Sequence, residues 1–319
     1  MTLADTPLLP SSVGYCHEAL LWHGIDSFLA SAVPFVTEGL DAGSPVLVAV
    51  TAPLADALRT ALDPPDGARV EFVDMAELGR NPARIIPAWL DFIARHASSG
   101  IPLRCIGEPI WDGRREAEIS ECQIHEAMLN LVIPAHAPLW LLCPYDTETL
   151  GQGVLDEALR SHPTFTDADG SGVSARYAGD DHAHRLSARD LPAPGAPTHD
   201  LLFGRGSLGD LRRLVHGRAV DAGIDAARAG DLVLGVNEVA ANSLDHGGGR
   251  GLLRTWSEPG ALVFEVRDAG RVDDLLVGRI PPSPAQPRGR GLWIVNQLCD
   301  LMQIRTTEQG TVVRVVTWL

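Results

Sequence analysis

Glu238, Asn242 and His246 follow one another at intervals of four residues. A helix turns 100° per residue, so each step drifts by only about 40° and the three side chains share one helical face. A carboxylate in such a row can act as general base toward a water or a hydroxyl. An Asn oxygen one turn on is a hard ligand of the kind Mg²⁺ takes, because Mg²⁺ prefers oxygen and keeps several of its waters. Further along, Asp268-Ala269-Gly270 closes an apolar run. A carboxylate there can accept from an exocyclic amine, and the glycine lets a flat ring approach the backbone. Arg288-Gly289-Arg290-Gly291 opens a helical pattern, where free backbone amides bind phosphate and the two guanidiniums add charge. Gly310-Thr311 begins the last apolar run. The plainer readings are that Glu238 pairs with Arg254 and that Asp268 ends a strand in a turn.

A second set of chemistry-bearing residues lies nearer the N-terminus: His17, Glu108, Glu121, His125, Glu126, Cys143, Tyr145, Asp146 and His162. Glu121 and His125 are four apart on an expected helix, a spacing that could hold a metal with one more ligand from His17 or Cys143. The alternative is that they pair on a solvated face. Cys143 closes an apolar run and suits a core position as well as a reactive one. Trp89, Trp111 and Trp140 read as packing residues.

The elements that must position these groups come in two styles. Between residues 13 and 163 helical stripes alternate with short apolar runs. Helices are expected over Asp26–Ala42, Ala52–Leu62, Pro82–Ala97 and Arg115–Val132, and strands over Pro45–Thr51, Arg69–Met75, Leu103–Pro109 and Leu139–Pro144. Continuous apolar strands alternating with helices imply a parallel sheet covered on both faces. Ligands of such sheets sit beyond the strands' carboxyl ends, here Thr51, Asp74, Glu108 and Cys143 to Asp146. Residues 164–199 are rich in Asp, Gly, Ser, Ala and Pro, the composition of a linker. From residue 200 to 319, helices and strands fall in blocks, as in an α+β layer pair. Ser207 is placed to cap a first helix. Asp231–Asp245 forms a second, with Val233, Leu234, Val236, Val239 and Ala240 on its buried side. Gly251–Ser257 and Ala261–Asp268 read as strands, Arg290–Met302 as a helix, and a hairpin closes around Glu308–Gly310. His216 lies on the first helix without an acidic neighbour and reads as a solvated residue.

Composition removes several chemistries. All 26 basic residues among Lys and Arg are Arg, so a P-loop, a pyridoxal Schiff base and a lysine nucleophile are excluded. A net charge of −15 disfavours nucleic acid and anionic membrane as partners. The five cysteines are scattered and never form C-x-x-C, which is neither a disulfide framework nor a zinc ribbon and suits a reducing cytoplasm. No apolar run is long enough to span a bilayer, and the first dozen residues lack the pattern of a signal peptide.

Taken in order, the C-terminal motifs resemble the nucleotide-binding boxes of the Bergerat-fold (GHKL) ATPases. Within that superfamily, Val236–Gly248 (VNEVAANSLDHGG) and Gly289–Met302 (GRGLWIVNQLCDLM), followed by Gly310-Thr311, are similar to the anti-sigma serine kinases of partner-switching systems. The resemblance implies ATP and Mg²⁺ as cofactors. It makes Glu238 the base, Asn242 the Mg²⁺ ligand and Asp268 the adenine reader. His246, Gly270, Arg288, Gly289, Arg290, Gly291 and Thr311 are placed around the nucleotide. It departs at Val272, where those proteins usually have glycine, and in a short Pro-rich segment over Ile280–Pro287. In the first half, His17–Gly24, Pro34–Val50, Gly107–Trp111, Glu121–Asn130 and Leu141–Asp146 resemble the MEDS sensory domain, a RecA-type α/β sheet without the phosphate loop. That likeness implies a small-molecule ligand of unidentified kind, with His17, Glu108, His125 and Cys143 as candidate contacts. The combined expectation is a cytoplasmic signalling regulator with a sensory domain over 13–163, a linker over 164–199 and a kinase-like domain over 200–319. Its partners would be a sigma factor, an anti-anti-sigma (STAS-type) protein, or both, and it could form a homodimer. A catalytically silent nucleotide-gated module and the catalytic half of a histidine kinase stay open as alternatives.

Overall fold

The computed structural model describes residues 14–97, 100–282 and 289–319. The chain divides into two units, one ending at Ala183 and the other spanning His184–Leu319.

In the first unit, β1 (Cys16–Trp22), β2 (Val46–Val50), β3 (Val70–Asp74), β4 (Leu103–Gly107), β5 (Leu139–Asp146), β6 (Thr164–Asp167) and β7 (Gly170–Val173) form one sheet in the order β3-β2-β4-β5-β1-β6-β7. Pairing is parallel from β3 to β6, and β7 folds back antiparallel on β6. The connecting helices are α1 (Gly24–Asp41), α2 (Ala52–Ala61), α3 (Pro64–Gly67), α4 (Met75–Leu78), α5 (Ile85–His96), α6 (Glu116–Val132) and α7 (Gln152–Ser161). All five residues of β2 are buried, as a strand covered on both faces requires. Phe28 and Val36 of α1 and Leu54 and Leu58 of α2 pack on Leu20, Val48 and Leu142. On the other side Gly107 lies under α5, where a Cβ would sit 2.7 Å from the Trp89 ring.

Three features of this unit differ from the sequence expectation. β1 carries His17 and Glu18 within an otherwise apolar stretch, and it pairs with both β5 and β6 at the centre of the sheet. The segment expected as linker from residue 164 begins with β6 and β7, whose edge position needs few apolar side chains. Glu121 and His125 are each 1% exposed, so the solvated face expected for them is interior.

In the second unit, α8 (His182–Ser187) straddles the division, and the five-stranded antiparallel sheet runs β11-β12-β10-β9-β8. Its strands are β8 (His199–Gly204), β9 (Arg250–Glu258), β10 (Ala261–Asp268), β11 (Leu301–Thr307) and β12 (Gly310–Trp318). One face is covered by α9 (Leu208–Asp221), α10 (Ala226–His246) and α11 (Gly291–Leu298), through Leu211, Val236, Val239 and Val295 against Leu253, Phe264 and Val315. Each such burial stabilises by about 1.5–3 kcal/mol. α10 starts earlier than the apolar stripe suggests, because the Asp225 side chain accepts from the Ala227 and Arg228 amides. Leu234 faces solvent rather than the core. Ser207 stands at the start of α9, but its Oγ accepts from the Gly204 amide instead of capping the helix. The helix expected to reach Met302 ends at Leu298, since Cys299 is extended and β11 begins at Leu301.

Candidate functional site

The row on α10 meets two other elements. Glu238 and Asn242 are half-buried and lie one turn apart, while His246 is exposed at the helix end. The first residue of α11, Gly291, closes on them. A Cβ at that position would stand 2.8 Å from Glu238 Oε2 and 3.4 Å from Asn242 Nδ2. The helix N-terminus therefore faces the acid and the carboxamide with nothing but hydrogen between them. Arg254 does not pair with Glu238; its guanidinium grips Asp200 at 2.9 and 2.8 Å. Gly289 and Arg290 are exposed just ahead of α11. Arg288 lies outside the described residues, as does most of the Pro-rich segment before it.

At the C-terminal end of α10, the backbone is packed around Asp268. Ser243 Oγ donates to Asp268 Oδ2 at 2.5 Å, and the Gly270 amide donates to Oδ1 at 2.7 Å. A Cβ on Gly247 would fall 2.3 Å from the Asp268 carboxyl carbon, and one on Gly310 only 2.0 Å from the Asp268 carbonyl oxygen. Gly270 would meet the His246 carbonyl at 2.8 Å. These glycines are required by close approach and not by turn geometry alone. Thr311 Oγ1 donates to the Gly270 carbonyl at 2.9 Å and holds this loop against β12. Val272, where a glycine was expected, exchanges backbone hydrogen bonds with the Thr306 hydroxyl at 3.2 and 3.0 Å. The donor set fits a purine nucleotide with its cation: an oriented carboxylate, a carboxamide, an acid and a helix N-terminus, with glycines where a side chain would fill the space.

The first unit brings a different group together. His17 (β1), Glu126 (α6), Cys143 (β5) and His162, just after α7, place one ligating atom each within 4.8 Å of the others. Each of the four is at most 2% exposed. His162 Nε2 is 2.8 Å and His17 Nε2 is 3.3 Å from Glu126 Oε2, and Cys143 Sγ is 3.6 Å from His17 Nε2. Burial pushes the His17 imidazolium pKa down, and His162 adds to this. Burial alone would raise the Glu126 carboxyl, but His162 and His17 outweigh it and hold it well below the usual range. Burial, then Glu126, holds the Cys143 thiol well above its ordinary value.

Of the four residues expected as ligand contacts, the structure groups only His17 and Cys143. His125 approaches the other oxygen of Glu126, with Nε2 3.6 Å from Oε1. Glu108 sits beyond the end of β4, where its Oε2 accepts from the Thr51 amide and hydroxyl, both at 2.7 Å. Burial raises its carboxyl to about 7. Cys143 is inside β5 and not at its end, since the strand runs on to Asp146. Glu126 and His162 were among the sequence candidates but not singled out. The signal that marks Glu126 is its place on the helix face that packs on the sheet, which one sequence cannot orient.

Residues 16–163 match the MEDS family, described as the MEthanogen/methylotroph, DcmR Sensory domain. Residues 205–317 match the family described as the histidine kinase-like ATPase domain. No curated protein matches the chain. Among solved structures, the crystal structure of the RsbU and RsbW domains of Rv1364c from Mycobacterium tuberculosis is similar at 16% identity and a TM-score of 0.31. The match covers 39% of this chain and 33% of that one, so this chain spans about a third of that protein's length.

Proposed function

From a chain that carries a MEDS sensory domain at residues 16–163 and a histidine kinase-like ATPase domain at residues 205–317, we propose a signalling regulator in which the second unit binds ATP with Mg²⁺ and phosphorylates a serine or threonine of a protein partner. The observation that carries this reading is the approach of Gly291, at the N-terminus of α11, to Glu238 and Asn242 on α10. The antiparallel sheet backed by three helices supports a Bergerat fold, and the parallel sheet of the first unit a RecA-type one.

Bound ATP supplies the phosphoryl group, and Mg²⁺ neutralises its charge. The amides of Gly291 and its neighbours hold phosphate oxygens, with Arg290 adding positive charge. Asn242 offers its amide oxygen to the cation. Asp268 is oriented by Ser243 and Gly270 to accept from the adenine amine. Glu238 takes the proton of the acceptor hydroxyl. Gly270 and Thr311 keep the base-side loop closed on β12. The partner class follows the likeness of Val236–Gly248 and Gly289–Met302 to the anti-sigma kinases: a sigma factor, a STAS-type antagonist, or both. The first unit senses a small molecule and sets the activity of the second.

The test is titration of the purified protein with ATP, with and without Mg²⁺. Wild type is expected to bind in a Mg²⁺-dependent way, and Asn242→Ala to lose that dependence. Glu238→Ala is expected to keep nucleotide binding and lose transfer to a STAS-type partner by at least about 100-fold. If wild type binds no ATP, the whole reading fails. If Glu238→Ala transfers normally, the protein is not a kinase of this kind.

A further inference from the structure

We propose that His17, Glu126, Cys143 and His162 form a closed four-coordinate site for a divalent transition metal of the zinc class in the first unit. The inference is independent of the nucleotide reading.

The tautomers are fixed by what lies behind each ring. His162 Nδ1 is 2.7 Å from the Ala158 carbonyl, which can only accept, so Nδ1 carries the hydrogen. His17 Nδ1 is 3.0 Å from Asn130 Oδ1. The Asn130 amide nitrogen donates to the Ser161 carbonyl at 2.7 Å, which turns its oxygen toward His17 and makes that Nδ1 the donor too. In the neutral rings both Nε2 atoms then present lone pairs. They converge on Glu126 Oε2, which also offers only lone pairs, and His162 Nε2 and Glu126 Oε2 have no hydrogen-bond partner among the described residues. A backbone or carboxamide acceptor behind each imidazole is the usual support of a metal-binding histidine.

The size is right. Bonds of about 2.0–2.3 Å arranged tetrahedrally separate ligand atoms by about 3.3–3.8 Å. The separations of 2.8, 3.3 and 3.6 Å, with none above 4.8 Å, bracket that span. Charge balances as well. One thiolate and one carboxylate neutralise a divalent cation, and the imidazoles add nothing, so no net charge is buried. Two nitrogens, one sulfur and one oxygen suit zinc better than the oxygen-seeking Mg²⁺ or Ca²⁺. The four ligands come from β1, α6, β5 and the end of α7, so bound metal ties the sheet to two helices. Cys143 loses its proton to solvent on binding, and no bond other than S–H is broken.

The competing arrangement uses protons alone, with a His162 imidazolium on Glu126 and the Cys143 thiol donating to His17. Full-length untagged protein, purified without chelator, separates the two by elemental analysis and by Co²⁺ substitution after metal removal. One equivalent of zinc-class metal per chain is expected. The Co²⁺ form is expected to show tetrahedral bands with thiolate-to-cobalt charge transfer. Cys143→Ser should lose the charge transfer, while Cys122→Ser, whose thiol lies on the Pro109 carbonyl, should keep it. Asn130→Ala, which leaves all four ligands in place, should weaken binding by about 10–100-fold. Wild type without metal and without a Co²⁺ spectrum would overturn the proposal. So would a charge-transfer band that survives Cys143→Ser.

Discussion

Glu108 shows how one buried side chain fixes a pH dependence. Its carboxyl is raised from 4.5 to about 7, first by burial and then by Asp146, against the lowering effect of the two Thr51 hydrogen bonds. A folded pKa above the unfolded one means the native state holds the proton more tightly. Stability from this group is therefore full below about pH 4.5 and falls as pH rises toward and through 7. The shift corresponds to about 3 kcal/mol, most of it lost between pH 5 and pH 8. Glu108→Gln keeps an oxygen for Thr51 and carries no charge. Urea unfolding at the two pH values is expected to show a stability difference about 2 kcal/mol smaller in the variant than in wild type. Equal differences would mean that Glu108 is solvated in the native state. Residue types and helical spacing put Glu238 and Asn242 on one face, and Asp268 joined them in the sequence only through the resemblance to the nucleotide-binding boxes. They did not pair Glu126 with His17 and His162, because residues 17, 126 and 162 meet only through sheet order.

At the scale of elements, the strands read most easily were those with long apolar runs, β2 and β5 among them. β1 was obscured by its two polar residues, which are buried. His17 faces the four-residue cluster, and Glu18 accepts from Trp140 Nε1 at 2.8 Å. β10 hides a similar case, since Glu265 is fully buried on the sheet face opposite α10. Arg314 of β12 donates to Glu265 Oε2 at 3.0 and 2.6 Å, and Arg267 reaches Oε1 at 2.7 Å. Arg314 also lies over the Trp256 ring, 5.0 Å from its centroid. Removing one partner of a buried pair leaves the other charge uncompensated, at a cost of about 3–5 kcal/mol. Glu265→Ala is therefore expected to destabilise by that amount in thermal or urea unfolding. Glu265→Ala with Arg314→Met is expected to recover most of it, since the charge and its partner then leave together. A single variant as stable as wild type would show that the pair is solvated.

For the whole molecule, the two units have separate cores, and the chain divides between Ala183 and His184, within the segment of linker composition. Among the described residues no helix is long and apolar enough to cross a membrane. The exact place to cut was not legible, because residues 188–198 have linker composition yet serve the second sheet. Arg314 Nη2 donates to the Pro192 carbonyl at 2.8 Å, beside its contact with Glu265. A hydrogen bond from a charged donor contributes about 1.5–3 kcal/mol. A fragment spanning 184–319 is therefore expected to be more stable by that amount than one spanning 200–319, which keeps every strand of the sheet except the first residue of β8. Both fragments retain Glu238, Asn242, Asp268 and Gly291, so both are expected to bind ATP with Mg²⁺. Equal unfolding midpoints would make residues 184–199 a tether. A gap of the expected size makes them part of the second unit, held there through the Arg314 hydrogen bond to Pro192.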